Sequence, residues 1–173
     1  LTRDRSYKLA VEQQGGTVAE KTDPVALATE SRPGNAAVTS GLDGYQWGDE
    51  AWMERRRQEG PPLARAMSAY EVHPGSWQRK NGGFYTYEEL AERLIPYVTD
   101  LGFTHIQFMP LAEHPLDESW GYQTSHYYAP TSRFGSPDEL RALVDRCHRA
   151  GVGVLLDWVP GHFPKDAWCL GRF

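Results

Sequence analysis

Between Ser68 and Asp157 the chain spells one structural phrase twice, and that repetition constrains the fold more than anything else in the sequence. Ala69-Tyr-Glu-Val-His73 reads as a short strand ending at Pro74-Gly75. Thr86-Tyr-Glu-Glu89 is a capping box, in which the Thr hydroxyl accepts the Glu89 N–H and that carboxylate reaches back. Leu90, Leu94, Val98 and Leu101 then fall on one helical stripe, and Gly102 is placed to end the helix. An apolar strand, Thr104 to Met109, follows and is closed by Pro110. The second phrase opens at Ser136-Pro-Asp-Glu139, with proline in the first helical position, where its missing N–H costs nothing. Leu140, Leu143, Val144 and Cys147 form its buried stripe, which makes Cys147 a core residue. Gly151 stops the helix, and Val152 to Leu156 is apolar on both faces, as strands of parallel sheets are. Residues 68 to 157 therefore read β-α-β-α-β.

The N-terminal third has a different grammar. Tyr7, Leu9 and Val11 alternate with Lys8 and Glu12, and Gln14-Gly15-Gly16 supplies the turn of a β-hairpin returning through Thr17-Val18-Ala19. From Asp23-Pro24 to Asp49 the text is rich in Pro, Gly, Ser, Thr and Asn and reads as short strands and loops. Residues 49 to 66 are charged; Arg55-Arg56-Arg57 suits either an anion site or a solvated linker face, the second being the commoner use.

Composition narrows the partners. With 40% apolar residues in 173, the chain can bury a core. Its formal charge of −5 argues against nucleic acid and anionic membranes as partners, since both select basic surfaces. No apolar run is long enough to cross a bilayer, and no secretory segment follows Leu1. Two cysteines make no disulfide framework and point to a reducing, cytoplasmic home. Six Trp and nine Tyr suit a sugar-binding surface or, more commonly, a core.

In parallel α/β folds, chemistry gathers in the loops at the carboxyl ends of the strands. Three such loops are visible: His73 to Trp77, the long stretch Pro110 to Phe134, and Asp157 to Phe163. Asp157 is an ionisable group at the mouth of an apolar strand; its alternative use is to cap backbone N–H groups. His162 is a donor to a ligand or a plain loop histidine. Tyr122, behind Gly121, is a stacking ring or a packing residue, the glycine allowing close approach. There is no phosphate loop, Gly-x-Ser-x-Gly elbow or His-Glu-x-x-His. His73, His114, Asp157 and His162 could surround a metal, but their spacing matches no specific site.

The run Asp157-Trp-Val-Pro-Gly-His162 resembles the first conserved region of the alpha-amylase superfamily of glycoside hydrolases. Tyr70-Glu-Val-His-Pro-Gly-Ser-Trp77, Gly102-Phe-Thr-His105, Glu113-His-Pro115, Ser119-Trp-Gly-Tyr-Gln123 and Tyr128-Ala-Pro-Thr-Ser-Arg-Phe-Gly135 are similar to its glucan-branching members in wording and order. Glu20-Lys-Thr-Asp-Pro24 and Asp43-Gly-Tyr-Gln-Trp47 resemble the end of the carbohydrate-binding β-sandwich that precedes the barrel there. The resemblance implies an α/β chain holding the first three strands of a (β/α)8 TIM barrel, preceded by the end of an all-β sandwich. Residues 1–48 would be the sandwich portion, 49–67 a linker, and 68–173 the N-terminal part of the catalytic barrel. It implies substrate-binding roles for Tyr122 under a glucose ring, His162 on its hydroxyls, and Asp157 in the floor of the site. No catalytic residue is expected in the chain: the nucleophilic Asp and acid/base Glu are expected beyond Phe173. The implied reaction cleaves an α-1,4-glucan and passes the segment to a 6-hydroxyl, as in glycogen, with no cofactor and no metal. A trehalose-releasing relative and a non-catalytic glucan-binding remnant are the alternatives.

Overall fold

Both helices of the repeated phrase form where their local signals put them. The computed structural model describes residues 4–61 and 64–172. In chain order these hold β1 (Ser6–Tyr7), β2 (Leu9–Glu12), β3 (Val18–Lys21), β4 (Ala37–Val38), α1 (Glu50–Gln58), β5 (Ala69–Val72), α2 (Pro74–Trp77), α3 (Tyr87–Asp100), β6 (His105–Phe108), β7 (Ala112–Glu113), β8 (His126–Pro130), α4 (Pro137–Arg149) and β9 (Gly153–Leu156). Two compact units emerge. One comprises residues up to Gly44, Pro110–Pro137 and the segment from Trp158 on; the other, Tyr45–Met109 and Asp138–Asp157.

The second unit carries a three-stranded parallel sheet in the order β5-β6-β9, the β-α-β-α-β reading made real. Val72 lies opposite Phe108, and Phe108 opposite Leu156. α3 opens on the expected capping box, with both Thr86 and Glu89 bonds present. Its stripe buries Leu90, Leu94 and Val98 completely, along with Ile106 and Phe108 of the sheet. Leu101 departs from that stripe and is exposed, because it is the residue capping α3, beyond the last helical turn. α4 buries Leu143 and Cys147, whose thiol burial pushes up to about 12. It also buries Asp145, which periodicity did not single out and which accepts the Gly48 N–H at 2.8 Å. A Cβ on Gly153 would lie 2.3 Å from the His105 ring, so a side chain at the first residue of β9 would have to displace that ring. β9 is not apolar and buried on both faces throughout: Leu156 is exposed at its carboxyl end.

The stretch expected as a linker contains helix α1. None of its residues is fully buried; Glu50 in the first turn and three arginines in the last complement the helix dipole, and the Trp52 ring stacks on His148 at a centroid distance of 5.0 Å. Arg57 pairs with Glu54 at 2.6 Å.

In the first unit the glycine turn is as expected. Gln13 N–H bonds the Thr17 carbonyl, Gly15 and Gly16 take positive φ, and β2 pairs antiparallel with β3. β1 pairs with β4, so residues 4–44 contribute two small antiparallel pairs. The Pro110–Phe134 stretch is not an open loop. β7 and β8 pair across it with an irregular register, and a 3₁₀ turn at Asp117–Ser119 occupies its middle. Thr22 anchors the N-terminal segment: its N–H donates to the Trp168 carbonyl at 3.0 Å, and its hydroxyl lies 2.5 Å from Nε2 of His126. His126 is 1% exposed, its Nδ1 lies 3.0 Å from the Ser125 hydroxyl, and burial pushes its pKa down.

Two outcomes follow from this packing. Leu94→Ala should cost about 2–5 kcal/mol in chemical denaturation, the usual result of emptying a fully buried leucine site. By NMR titration His126 should lose its proton below the ordinary value of about 6.5. The sign is that of a depressed base: the stability contributed by its neutral form is present above about pH 6.5 and is lost as pH falls through the lower folded value. A His126 midpoint at or above the ordinary value would contradict the burial just described.

Candidate functional site

Three loops leave the carboxyl ends of β5, β6 and β9, and each residue singled out by sequence can now be placed. Asp157 directly follows β9; its N–H donates to the Phe108 carbonyl at 2.9 Å, continuing the parallel ladder one residue past the strand, and the residue is half-buried. Tyr122 and His162 belong to the other compact unit. Tyr122 is half-buried and its N–H donates to the Ser119 carbonyl at 3.0 Å. The glycine before it does permit a close approach, but to the chain itself. With φ at +89°, a Cβ on Gly121 would lie 2.4 Å from the Pro110 carbonyl oxygen, so the turn carrying Tyr122 is pressed onto the start of its own loop. His162 is exposed. It is flanked by aromatic packing, since the Tyr127 ring meets Trp158 and Phe163 edge-on at centroid distances of 6.2 and 5.7 Å.

The charged group at the heart of this unit is one that sequence spacing left undistinguished. Glu113, 5% exposed, receives six hydrogen bonds on its carboxylate. One oxygen accepts from the His114 N–H at 2.9 Å, the Thr131 hydroxyl at 3.2 Å and the Arg133 guanidinium. The other accepts from the Thr29 hydroxyl at 3.0 Å and from the Ser132 N–H and hydroxyl at 2.8 and 3.0 Å. Burial works to raise the carboxyl, but the Ser132 N–H, the Arg133 cation and the His114 N–H outweigh it and hold Glu113 below its ordinary value. Arg133, its side chain only 7% exposed, extends the network to Asp117 at 2.7 Å and to the His114 carbonyl at 2.8 Å. Asp117 also pairs with Arg32, which donates to the Pro115 carbonyl at 3.0 Å. Burial lowers the His114 pKa, and the Arg133 charge adds to that; Nδ1 of the ring sits 2.9 Å from the Ala112 carbonyl.

Beside this network lies a cavity of about 520 Å³, lined among others by Arg32, His114, His126, Asp166 and Trp168. Its walls mix an aromatic face with charged and neutral donors and acceptors, a lining suited to a polar ligand with one apolar surface. Local sequence could not reveal it, because its walls come from four separated stretches of chain.

The arginine run is largely committed to its own surroundings. Arg55 lies 4.9 Å over the Trp52 ring and 4.0 Å from Glu59, and Arg57 pairs with Glu54, as a solvated helix face would have it. His73 bonds the Ser76 hydroxyl at 3.0 Å. Among the described residues no three His, Cys, Asp or Glu side chains converge as a metal site, and no helix is long and apolar enough to cross a membrane.

A profile of the alpha-amylase catalytic domain matches residues 72–169. The chain is 63% identical over 98% of its length to the 1,4-alpha-glucan branching enzyme GlgB of Oleidesulfovibrio alaskensis, of which it covers 27%. It is 59% identical over its whole length to GlgB of Nitratidesulfovibrio vulgaris, covering 28% of that protein. Against GlgB of Marinobacter nauticus it is 55% identical over 96% of its length, covering 26%. The chain thus spans about a quarter of the length of these curated relatives. A crystal structure of a Salmonella typhimurium protein provisionally described as an alpha amylase matches 95% of the chain and 26% of that protein, with a TM-score of 0.75 at 27% identity. The mixed α/β architecture, with its parallel β5-β6-β9 sheet, fits a region of a TIM barrel. With the catalytic-domain profile lying over more than half of its residues, the chain belongs to the alpha-amylase family.

Proposed function

We propose that this chain is the segment of a 1,4-alpha-glucan branching enzyme that runs from the end of a carbohydrate-binding β-sandwich (1–48), through a connecting stretch (49–67), into the first three strands of the catalytic barrel (68–173). The observation that carries this reading is 63% identity along nearly the whole chain to a GlgB protein. The substrate is an α-1,4-glucan of the glycogen type. The enzyme cleaves it, holds the segment covalently, and transfers it to a 6-hydroxyl with retention. Its working compartment is the cytoplasm.

Each residue has a task in that chemistry. Tyr122 lies under the glucose ring at the bond to be cut and offers it an apolar face. His162 donates to a hydroxyl of the same sugar. Asp157, held at the end of β9 by its N–H bond to Phe108, fixes the floor of the site. Such contacts accelerate the reaction to the extent that they hold the distorted sugar of the transition state better than the relaxed one. The two carboxyl groups of retaining transfer stand about 5–5.5 Å apart and act as nucleophile and acid/base. By the family resemblance they lie beyond Phe173.

In the complete protein, Tyr122→Ala and His162→Ala should each lose about 2–4 kcal/mol of transition-state stabilisation, read as kcat/KM for branching of amylose, with less effect on the binding of long glucans. Unchanged branching rates in purified variants would remove both side chains from the reaction centre. Asp157→Asn should reduce activity at least as much, because a carboxylate accepts N–H bonds more strongly than an amide oxygen. Residues 1–173 expressed alone should neither change iodine staining of amylose nor release reducing ends. Turnover by that segment would mean that the reacting carboxyl groups lie within it.

A further inference from the structure

We propose that Glu113 is a positioning residue for Tyr122, acting through Arg133 and Asp117; this rests on the reading of Tyr122 as the residue beneath the reacting sugar. The connection is continuous and lies wholly inside one compact unit. The Glu113 carboxylate holds the Arg133 guanidinium, whose Nε donates to the Asp117 carboxylate at 2.7 Å. The Asp117 carbonyl accepts the Trp120 N–H at 2.9 Å, and the Ser119 carbonyl accepts the Tyr122 N–H at 3.0 Å. From the other side, the Glu113 carbonyl receives the Ser125 N–H at 2.8 Å and the Ser125 hydroxyl at 3.1 Å, three residues past Tyr122. The same glutamate thus clamps both arms of the turn that presents the ring.

Beyond the close approach of Gly121 to Pro110 and the pairing of Asp117 with Arg32, the 3₁₀ turn itself is not packed into a core. Trp120 sits in the left-handed region at φ 54° and is half exposed, and no residue of the 3₁₀ turn is buried. Its conformation is therefore set by hydrogen bonds to fixed groups rather than by a packed core. Glu113 can serve as the fixed group because its carboxylate is itself immobilised by three donors on each oxygen. Glutamine at 113 would turn one of those oxygens into an NH₂ group facing three donors, and the clamp would have to rearrange.

The test uses the complete protein and three variants, Glu113→Gln, Asp117→Asn and Tyr122→Ala, with Glu118→Gln as control. Glu118 is exposed in the same turn and belongs to no part of the clamp. Backbone hydrogen exchange over residues 119–125 should quicken in Glu113→Gln and Asp117→Asn and stay unchanged in the control. For the reaction, Glu113→Gln should lower kcat roughly tenfold to a hundredfold, the penalty of a reactant misplaced by about an ångström, while KM for long glucans changes little. In the Tyr122→Ala background, Glu113→Gln should cost less than about twofold more, since coupled groups are not additive. Unchanged exchange across 119–125, or full multiplication of the two losses, would overturn the proposal. If Glu113→Gln does not fold, Asp117→Asn cuts the same path at a half-exposed link, and its exchange and kcat decide in its place. If Tyr122→Ala leaves branching untouched, the sugar-stacking reading fails by itself, and faster exchange in the two clamp variants would still establish the clamp.

Discussion

A carboxylate removed from water has to be surrounded by donors, and Glu113 satisfies that demand by drawing together pieces of chain that nothing local would unite. Thr29 comes from 84 positions earlier; Thr131, Ser132 and Arg133 come from about twenty later. A buried ion pair of this kind is poor evidence of net stabilisation, because desolvation offsets most of the attraction. Its consequence is specificity. Only one arrangement of the N-terminal segment, the β7–β8 pair and the turn between them satisfies both charges at once, and breaking it strands a charge away from solvent. The neutral imidazoles of His114 and His126 obey the same rule from the other side: buried, with bonding partners for an uncharged ring, they are kept from protonating.

What could be read from the sequence was whatever adjacent residues decide. The Thr86–Glu89 box, the Gly15–Gly16 turn, proline at the head of α4 and the stripe through Leu90, Leu94 and Val98 all act over four residues or fewer, and each stands in the structure. Leu101 was misread because periodicity carries no information about where a helix leaves its buried face. The helix α1 inside the 49–67 stretch was not legible, because its arginines carry no apolar period and find their glutamates only three or four residues away. Glu113 and Asp145 were invisible as buried groups, since a charged residue near an apolar run looks solvent-facing until its distant partner is known. Asp157 and Tyr122 were singled out by their position after an apolar strand and next to glycine, and the close contact which that glycine allows is with Pro110. The cavity beside Trp168 depends on four separated stretches and left no local trace.

The division of labour between the units follows from strand geometry. A parallel sheet satisfies its backbone internally, and at Gly153 the His105 ring occupies the space a side chain would take. The stretch after β6 has only the short, irregular β7–β8 pair and depends chiefly on side-chain bonds for its shape. Glu113, His114 and Asp117, whose protonation equilibria are displaced, lie together between β6 and β8, while in the sheet itself His105 is lowered chiefly by burial.

The two cysteines also decide how this protein can be handled. Cys147 and Cys169 are fully buried, and burial pushes both thiols up to about 12. Since the thiolate is the reacting form, almost none is present near neutrality, and neither sulfur is within reach of a reagent. In this segment, then, a cysteine introduced on the exposed stretch around His162 would be the sole sulfur open to maleimide chemistry. The native cysteines could stay where the packing needs them, and a single fluorophore or spin label could be set beside the proposed sugar site without first rebuilding the core.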